Sequence, residues 1–244
     1  MHVMADSPDI GRIAIQAIDL SCRYHDGTEA LRGIGLEIRQ GETFALIGPN
    51  GAGKSTLLMC LAGLLEITGS VFINGRALTP QNARELRKGI GLVFQDPDDQ
   101  LFMPTLEEDV AFGPSNLDLN EEEISRRVRS ALDQVHLWDK RQRPPHHLSY
   151  GEKRRAALAT VLAMQPQILL LDEPTSNLDP ATRRELMEYL KSLDVTRVIA
   201  THDLDLAAAL SDRCAVLYSG SLIATGPTKG IIANMQMLKK YRLA

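Results

Sequence analysis

The stretch Gly48-Pro49-Asn50-Gly51-Ala52-Gly53-Lys54-Ser55-Thr56 restricts the possible folds of this chain more than any other. It follows the apolar run Phe44, Ala45, Leu46, Ile47, which reads as a buried strand, and precedes Leu57, Leu58, Leu61 and Leu64, spaced as one face of a helix. A glycine-rich turn from strand into helix is a place for phosphate. The glycines let the backbone approach an anion closely, and the helix start supplies unpaired N–H groups and the positive end of a dipole. In such a turn the Lys54 ammonium reaches the terminal phosphates and the Ser55 hydroxyl ligates Mg²⁺. A nucleoside triphosphate site is the leading reading, set against an ordinary glycine-rich turn.

Composition narrows what surrounds that turn. With 244 residues, 44% of them hydrophobic, the chain can bury one large core, or one core with a smaller appended subdomain. Its net charge of −4 comes without a basic block, which argues against broad nucleic-acid binding through phosphate neutralisation. Cys22, Cys60 and Cys214 are far apart and lack paired metal-type spacing, so structural thiols in a reducing compartment are expected. No apolar run approaches the length of a membrane span. Residues 1–12, predicted to be disordered, carry Asp6, Pro8 and Asp9 where a secretion signal needs an apolar core. The expectation is a cytosolic protein that works at a membrane, if at all, through partners.

Ile13 to Tyr24 alternates in polarity, turns at His25-Asp26-Gly27 and pairs with Leu31 to Ile38; with Ser70 to Asn74 these predict an antiparallel sheet beside the nucleotide strand. Tyr24 falls at the strand end near the loop, where it either stacks on adenine or is a strand-end tyrosine with no ligand. A helix over Asn82 to Lys88 and a strand from Ile90 to Phe94 lead to Gln95 and the turn residues Asp96 to Gln100. Helices are predicted over Leu106 to Phe112 and Glu121 to Leu137, the second amphipathic, with Ile124, Val128, Ala131, Leu132 and Val135 on one face. This block interrupts the alternation of strand and helix and reads as an inserted helical subdomain of about residues 96–155. Near its end His146 and His147 read as structural rather than metal-binding, because no third ligand is close in sequence. Ser149 and Glu152 have capping-box spacing for a helix from Gly151 through Ala163.

Ile168 to Leu171 is wholly apolar and ends in Asp172-Glu173-Pro174, which places two carboxylates at the C-terminal end of a parallel strand, where ligands of such sheets bind. Asp172 can hold Mg²⁺ through water and Glu173 can accept a proton from an attacking water; a buried acid paired with a base is the plainer alternative. A helix over Ala181 to Leu193 and a strand Val198 to Ala200 follow. That strand ends in Thr201-His202-Asp203, so His202 joins the series Lys54, Gln95, Asp172, Glu173 at strand ends. Arg213 to Gly226 reads as a β hairpin and the tail from Pro227 as a short helix.

In order along the chain, these residues resemble the ATPase subunits of ABC transporters over nearly its whole length. Gly48 to Thr56 is similar to the Walker A loop, Gln95 to the Q-loop, Leu148-Ser149-Tyr150-Gly151-Glu152 to the LSGGQ-type signature, Ile168 to Glu173 to Walker B, Ser176-Asn177-Leu178-Asp179 to the D-loop, and His202 to the switch histidine. Tyr24 falls where the family places its adenine-stacking aromatic. The resemblance implies an α/β P-loop NTPase: a RecA-like, mostly parallel core sheet with an antiparallel β subdomain and an inserted α-helical subdomain. It implies ATP as substrate together with Mg²⁺. Glu173, His202 and Gln95 would be catalytic, and Ser55, Gln95 and Asp172 would hold the metal. Tyr24, Gly48, Pro49, Asn50, Gly51, Ala52, Gly53, Lys54, Ser55, Thr56, Ser149, Gly151 and Asp179 would contact nucleotide, with Ser149 and Gly151 reaching across a head-to-tail dimer.

More narrowly, Phe94 to Phe102 followed by Glu107 to Pro114 resembles the ATPases of energy-coupling-factor importers, the cobalt type in particular, which take up transition-metal ions or vitamins. That implies integral membrane transporter subunits and a second ATPase subunit (homodimer or related heterodimer) as partners, no nucleic acid, and a place at the cytoplasmic face of the cell membrane. A docking groove is expected beside Gln95 and Pro97 to Phe102. Tyr150 departs from the pattern, standing where the family usually has glycine. Three rivals are weighed. A soluble ABC ATPase in an assembly role such as iron–sulfur cluster biogenesis would share the catalytic motifs but not the segments Asp96 to Phe102 and Glu107 to Pro114. A chromosome-maintenance ATPase needs a long coiled-coil insert and a DNA-binding surface. A small-molecule phosphotransferase has no use for Leu148 to Glu152.

Overall fold

In the computed structural model, which describes residues 12–243, the strands sort into two sheets. β1 (Ile13–Arg23), β2 (Glu29–Arg39), β4 (Thr68–Ile73) and β5 (Arg76–Ala77) are antiparallel, in the order β2-β1-β4-β5. β3 (Thr43–Ile47), β6 (Ile90–Val93), β7 (Ile168–Asp172), β8 (Thr196–Thr201), β9 (Arg213–Tyr218) and β10 (Ser221–Pro227) lie in the order β10-β9-β3-β8-β7-β6, parallel apart from the β9–β10 hairpin. The α/β architecture is therefore the expected one. The expectation of disorder over residues 1–12 lies outside the described residues except at Arg12, whose carbonyl accepts the Gln40 N–H at 2.8 Å.

Strand alternation explains why the core runs of the second sheet are apolar throughout. Phe44, Leu46, Leu170, Val198 and Leu217 face a cluster shared with the antiparallel sheet and with helix α1 (Lys54–Leu61), while Leu169, Leu171 and Ile199 face the opposite layer. Because α1 is sandwiched between the two sheets, Leu57, Leu58, Cys60 and Leu61 are all fully buried. At about 1.5–3 kcal/mol for each buried leucine side chain, this helix is a principal tie between the sheets. Leu64 does not continue its face as expected. The chain leaves the helix at Ala62 and turns through Gly63 at φ +66°, which leaves Leu64 exposed.

After α2 (Ala83–Arg87) and β6 comes the helical block: a 3-10 turn at Pro97–Asp99, then α3 (Leu106–Ser115), α4 (Glu121–Gln134) and α5 (Tyr150–Leu162). Leu106, Val110, Val128, Leu132, Ala156 and Ala159 give it a core of its own. On its other side α5 packs Ala157, Leu158 and Val161 against the parallel sheet. A helix buried on two faces needs small residues all round rather than one apolar stripe, which is how α5 reads.

Helix limits differ from expectation by one residue at α2, α5 and α6 (Pro180–Ser192) and by more at α3 and α4. α3 runs past Phe112 to Ser115 with Pro114 inside its last turn, and the Asn116 side chain satisfies the Phe112 carbonyl at 2.7 Å. α4 stops at Gln134, not Leu137: His136 takes φ +57°, its N–H returns to the Asp133 carbonyl at 3.1 Å, and the Leu137 N–H returns to Leu132 at 2.9 Å, a Schellman ending with histidine where glycine is usual. Beyond α6, the unanticipated α7 (Leu204–Leu210) is capped by Asp203, whose Oδ1 accepts the Leu206 N–H at 2.9 Å. The tail forms two helices, α8 (Thr228–Ala233) and α9 (Met235–Lys240), divided at Asn234, which caps the second.

Candidate functional site

Parallel pairing brings the expected chemistry to one edge of the sheet. Ile47 lies beside Thr201, Asp172 beside Ala200, and Val93 beside Leu171, so the chain emerges into Gly48, His202, Glu173 and Gln95 from neighbouring strand ends. There a cleft of about 420 Å³ is lined by Asn50 to Thr56 together with Tyr24, Gln95, Asp172 and Glu173. Two glycines of the loop are required by contact. A Cβ on Gly48 would lie 2.3 Å from the Leu217 carbonyl oxygen, and one on Gly53, at φ +103°, would lie 2.9 Å from that of Ala30.

Lys54 is buried, and its Nζ donates to the carbonyls of Gly48 at 2.8 Å and Pro49 at 3.3 Å while standing 3.5 Å from Glu173 Oε1. Gly48 and Pro49 thus join the site through their carbonyls. Glu173, also buried, is held from all sides: Oε1 accepts the His202 N–H at 2.9 Å and lies 2.8 Å from His202 Nδ1, and Oε2 accepts the hydroxyls of Thr201 at 3.0 Å and Ser176 at 3.3 Å. Its backbone sits at φ +45°, a left-handed conformation costing about 1–3 kcal/mol in a non-glycine residue. The Glu173 N–H bonded to the Ala200 carbonyl at 2.9 Å pins it there. With Nδ1 on the carboxylate, the half-exposed His202 ring keeps Nε2 for another partner.

Asp172 is buried with Oδ1 unpartnered. Burial holds its carboxyl above the usual carboxylate range, the charge of Glu173 pushes the same way, and the Ser55 hydroxyl, Lys54 and Arg154 offset part of this. An orphaned carboxylate oxygen beside a serine hydroxyl suits a hard divalent cation that takes oxygen ligands. Mg²⁺ fits: Ser55, Asp172 and Gln95 would hold it, and when bound it supplies positive charge to the phosphates. Because the folded pKa is raised, the ionised form of Asp172 costs stability above that pKa, and the cost is relieved as pH falls through it. The cation needs the ionised form. The rise in Tm caused by Mg²⁺ with ADP is therefore expected to shrink as pH falls, and Asp172→Asn should lessen that dependence in a thermal-shift titration.

Tyr24 stands on the cleft wall with its hydroxyl 2.9 Å from Thr56 Oγ1. The structure does not bring Ser149, Gly151 or Asp179 into this cleft. Ser149 caps α5 in a capping box with Glu152, whose carboxyl is held below its usual range first by the Lys140 ammonium and then by the Ser149 N–H. Gly151 faces Thr182 and Leu178, and Asp179 caps α6 by accepting the N–H groups of Ala181 at 2.9 Å and Thr182 at 3.1 Å. Conversely, Thr28 just before β2, Glu29, Ala30 and Arg32 of β2, and the Ser219-Gly220 turn line the cleft without a signal in the sequence. Tertiary bonds draw the two segments together, the Gly220 N–H on the Ala52 carbonyl at 3.0 Å and the Arg32 N–H on that of Gly220 at 2.8 Å. His146 and His147 pack ring edge to face at the surface, centroids 4.3 Å apart.

A phosphate turn facing two carboxylates at the open edge of a parallel sheet defines a P-loop nucleotide hydrolase. Residues 31–176 match the family model for ABC transporters, and EcfA of Carboxydothermus hydrogenoformans, an energy-coupling factor transporter ATP-binding protein, is 48% identical over 235 residues, 95% of this chain and 87% of its own. The structure of cbiO1 from Clostridium perfringens, part of the ABC transporter complex cbiONQ, is similar with a TM-score of 0.82 and 39% identity, covering 96% of each chain. The ATP-binding cassette MJ0796, in a dimeric post-hydrolysis state bound to ADP and Pi, gives a TM-score of 0.79 at 29% identity, covering 88% of this chain and 98% of its own. The chain belongs to the ABC transporter family and is an ATP-hydrolysing subunit of it. Among the described residues no helix is long and apolar enough to cross a membrane.

Proposed function

We propose that this subunit sits at the cytoplasmic face of the membrane and hydrolyses ATP to power an importer of energy-coupling-factor type, carrying a metal ion of the cobalt or nickel kind or a vitamin. One observation supports this beyond the family match. Directly after the catalytic-edge residue Gln95, the helical block of about residues 96–155 displays Phe102, 63% exposed, edge-on to Phe112, 46% exposed, with ring centroids 5.1 Å apart. Two large exposed aromatics in contact with each other suit a partner surface, here that of the integral membrane subunits. Ser149 and Gly151 lie off the cleft of their own chain, which supports a site completed by a second ATPase subunit, either a copy or a relative, with ATP held between Lys54 of one chain and Ser149 and Gly151 of the other. Within the site Glu173 takes a proton from the attacking water, His202 and Gln95 orient it, and Lys54 and the loop N–H groups stabilise the developing charge.

Phe102→Ser with Phe112→Ser is expected to keep the ATPase rate of the isolated subunit while losing co-purification with integral membrane proteins. Wild-type chain that captures only soluble assembly factors would favour the iron–sulfur type of role instead. Tyr150, the first residue of α5, lies with its ring 5.4 Å from the Arg154 guanidinium. Tyr150→Gly is expected to keep or raise ATPase activity, measured by phosphate release; a folded but inactive variant would show that the tyrosine is required.

A further inference from the structure

We propose that Arg154 and Gln100 are positioning residues for ATP hydrolysis, fastening the peptide that presents Gln95 to helix α5, whose N-terminal turn carries Ser149 and Gly151. Both backbone polar groups of Phe94, the residue before Gln95, end on side chains fixed to that helix. The Phe94 carbonyl accepts Arg154 Nη1 at 3.1 Å. The Phe94 N–H donates to Gln100 Oε1 at 3.2 Å, and Gln100 Nε2 donates in turn to the Ala157 carbonyl at 2.8 Å and to Thr160 Oγ1 at 2.7 Å.

Fold stability alone does not account for Arg154. The residue is 2% exposed, makes no ion pair among the described residues, and leaves Nε and Nη2 without partners. A buried guanidinium so poorly satisfied is worse for stability than an apolar side chain of similar size. What it does instead is stand between the Phe94–Gln95 peptide and the face of Tyr150. Gln95 and α5 are thereby one body. A shift of Gln95 on engaging the nucleotide of its own cleft must displace Ser149 and Gly151, which in the dimer proposed above contact the nucleotide of the other chain. The inference rests on that dimer and gives its two sites a route of communication.

The test uses the full chain carrying Arg154→Met, Gln100→Met or Arg154→Lys, with ATPase rate measured against ATP and against chain concentration, alongside binding of a fluorescent ADP and Tm. Both Met variants should keep ADP affinity within about 3-fold and lower kcat by about 10-fold or more, with the Hill coefficient for ATP falling from near 2 toward 1. Arg154→Lys, which keeps a cationic donor for the Phe94 carbonyl, should restore most of kcat. Wild-type kcat and Hill coefficient in both Met variants would overturn the proposal, as would losses of kcat, ADP binding and Tm in proportion, which mark a role confined to folding. A wild-type chain that sediments as a monomer with ATP bound, at a rate per chain that does not change with dilution, overturns the dimer itself, whatever the variants do.

Discussion

Glu173→Gln is expected to slow turnover by roughly 10²–10⁴, the usual worth of a general base, while nucleotide binding is kept or tightened. The amide occupies the same volume. Its oxygen can still accept the His202 N–H, and its NH₂ can donate to the Thr201 or Ser176 hydroxyl, each of which can turn to accept. What disappears is the proton acceptor and one negative charge 3.5 Å from Lys54 Nζ. Freed from that neighbour, the ammonium is more available to phosphate, so affinity and rate should move in opposite directions. Single-turnover hydrolysis measured beside equilibrium nucleotide binding separates them, and a wild-type rate would remove Glu173 from its role.

Ser149→Asp separates the cap that Ser149 forms from the phosphate contact proposed for it. As a helix cap, aspartate is about as good as serine, so stability should change by no more than about 0.5 kcal/mol. As a contact to the γ-phosphate of the other subunit, a carboxylate brings like charges together at a cost of several kcal/mol. At about 1.4 kcal/mol per tenfold, the expected loss of ATPase activity exceeds about 100-fold with the melting temperature preserved. A stable and active Ser149→Asp chain would leave Ser149 as a cap and nothing more.

The site was legible where local sequence fixes it. A glycine-rich turn with lysine, and carboxylates or histidine at the ends of apolar strands, are short patterns, and parallel strands deliver their ends to one edge. What sequence could not show was how Glu173 is held, because Thr201, Ser176 and His202 come from separate segments. The same applies to the β2 and Ser219-Gly220 wall of the cleft and to the ties from α5 to Phe94, which depend on packing across 60 residues of chain. In the fold, long periodic segments were legible and their ends were not. Leu64 continued a helical spacing that Gly63 had already broken, and His136 ended α4 with a conformation that its residue type does not advertise.

That each site is shared between two chains is tested most directly by mixing. Lys54→Met removes the phosphate lysine from one half of the site and Ser149→Asp spoils the other half, so either variant alone should be inactive. Random pairing of the two makes half of the dimers mixed, each with one intact site of two, so activity should return to as much as about a quarter of wild type, less by whatever a coupled site loses when its partner site is empty. No recovery at any mixing ratio, with both variants folded and still able to pair, would contradict a shared site.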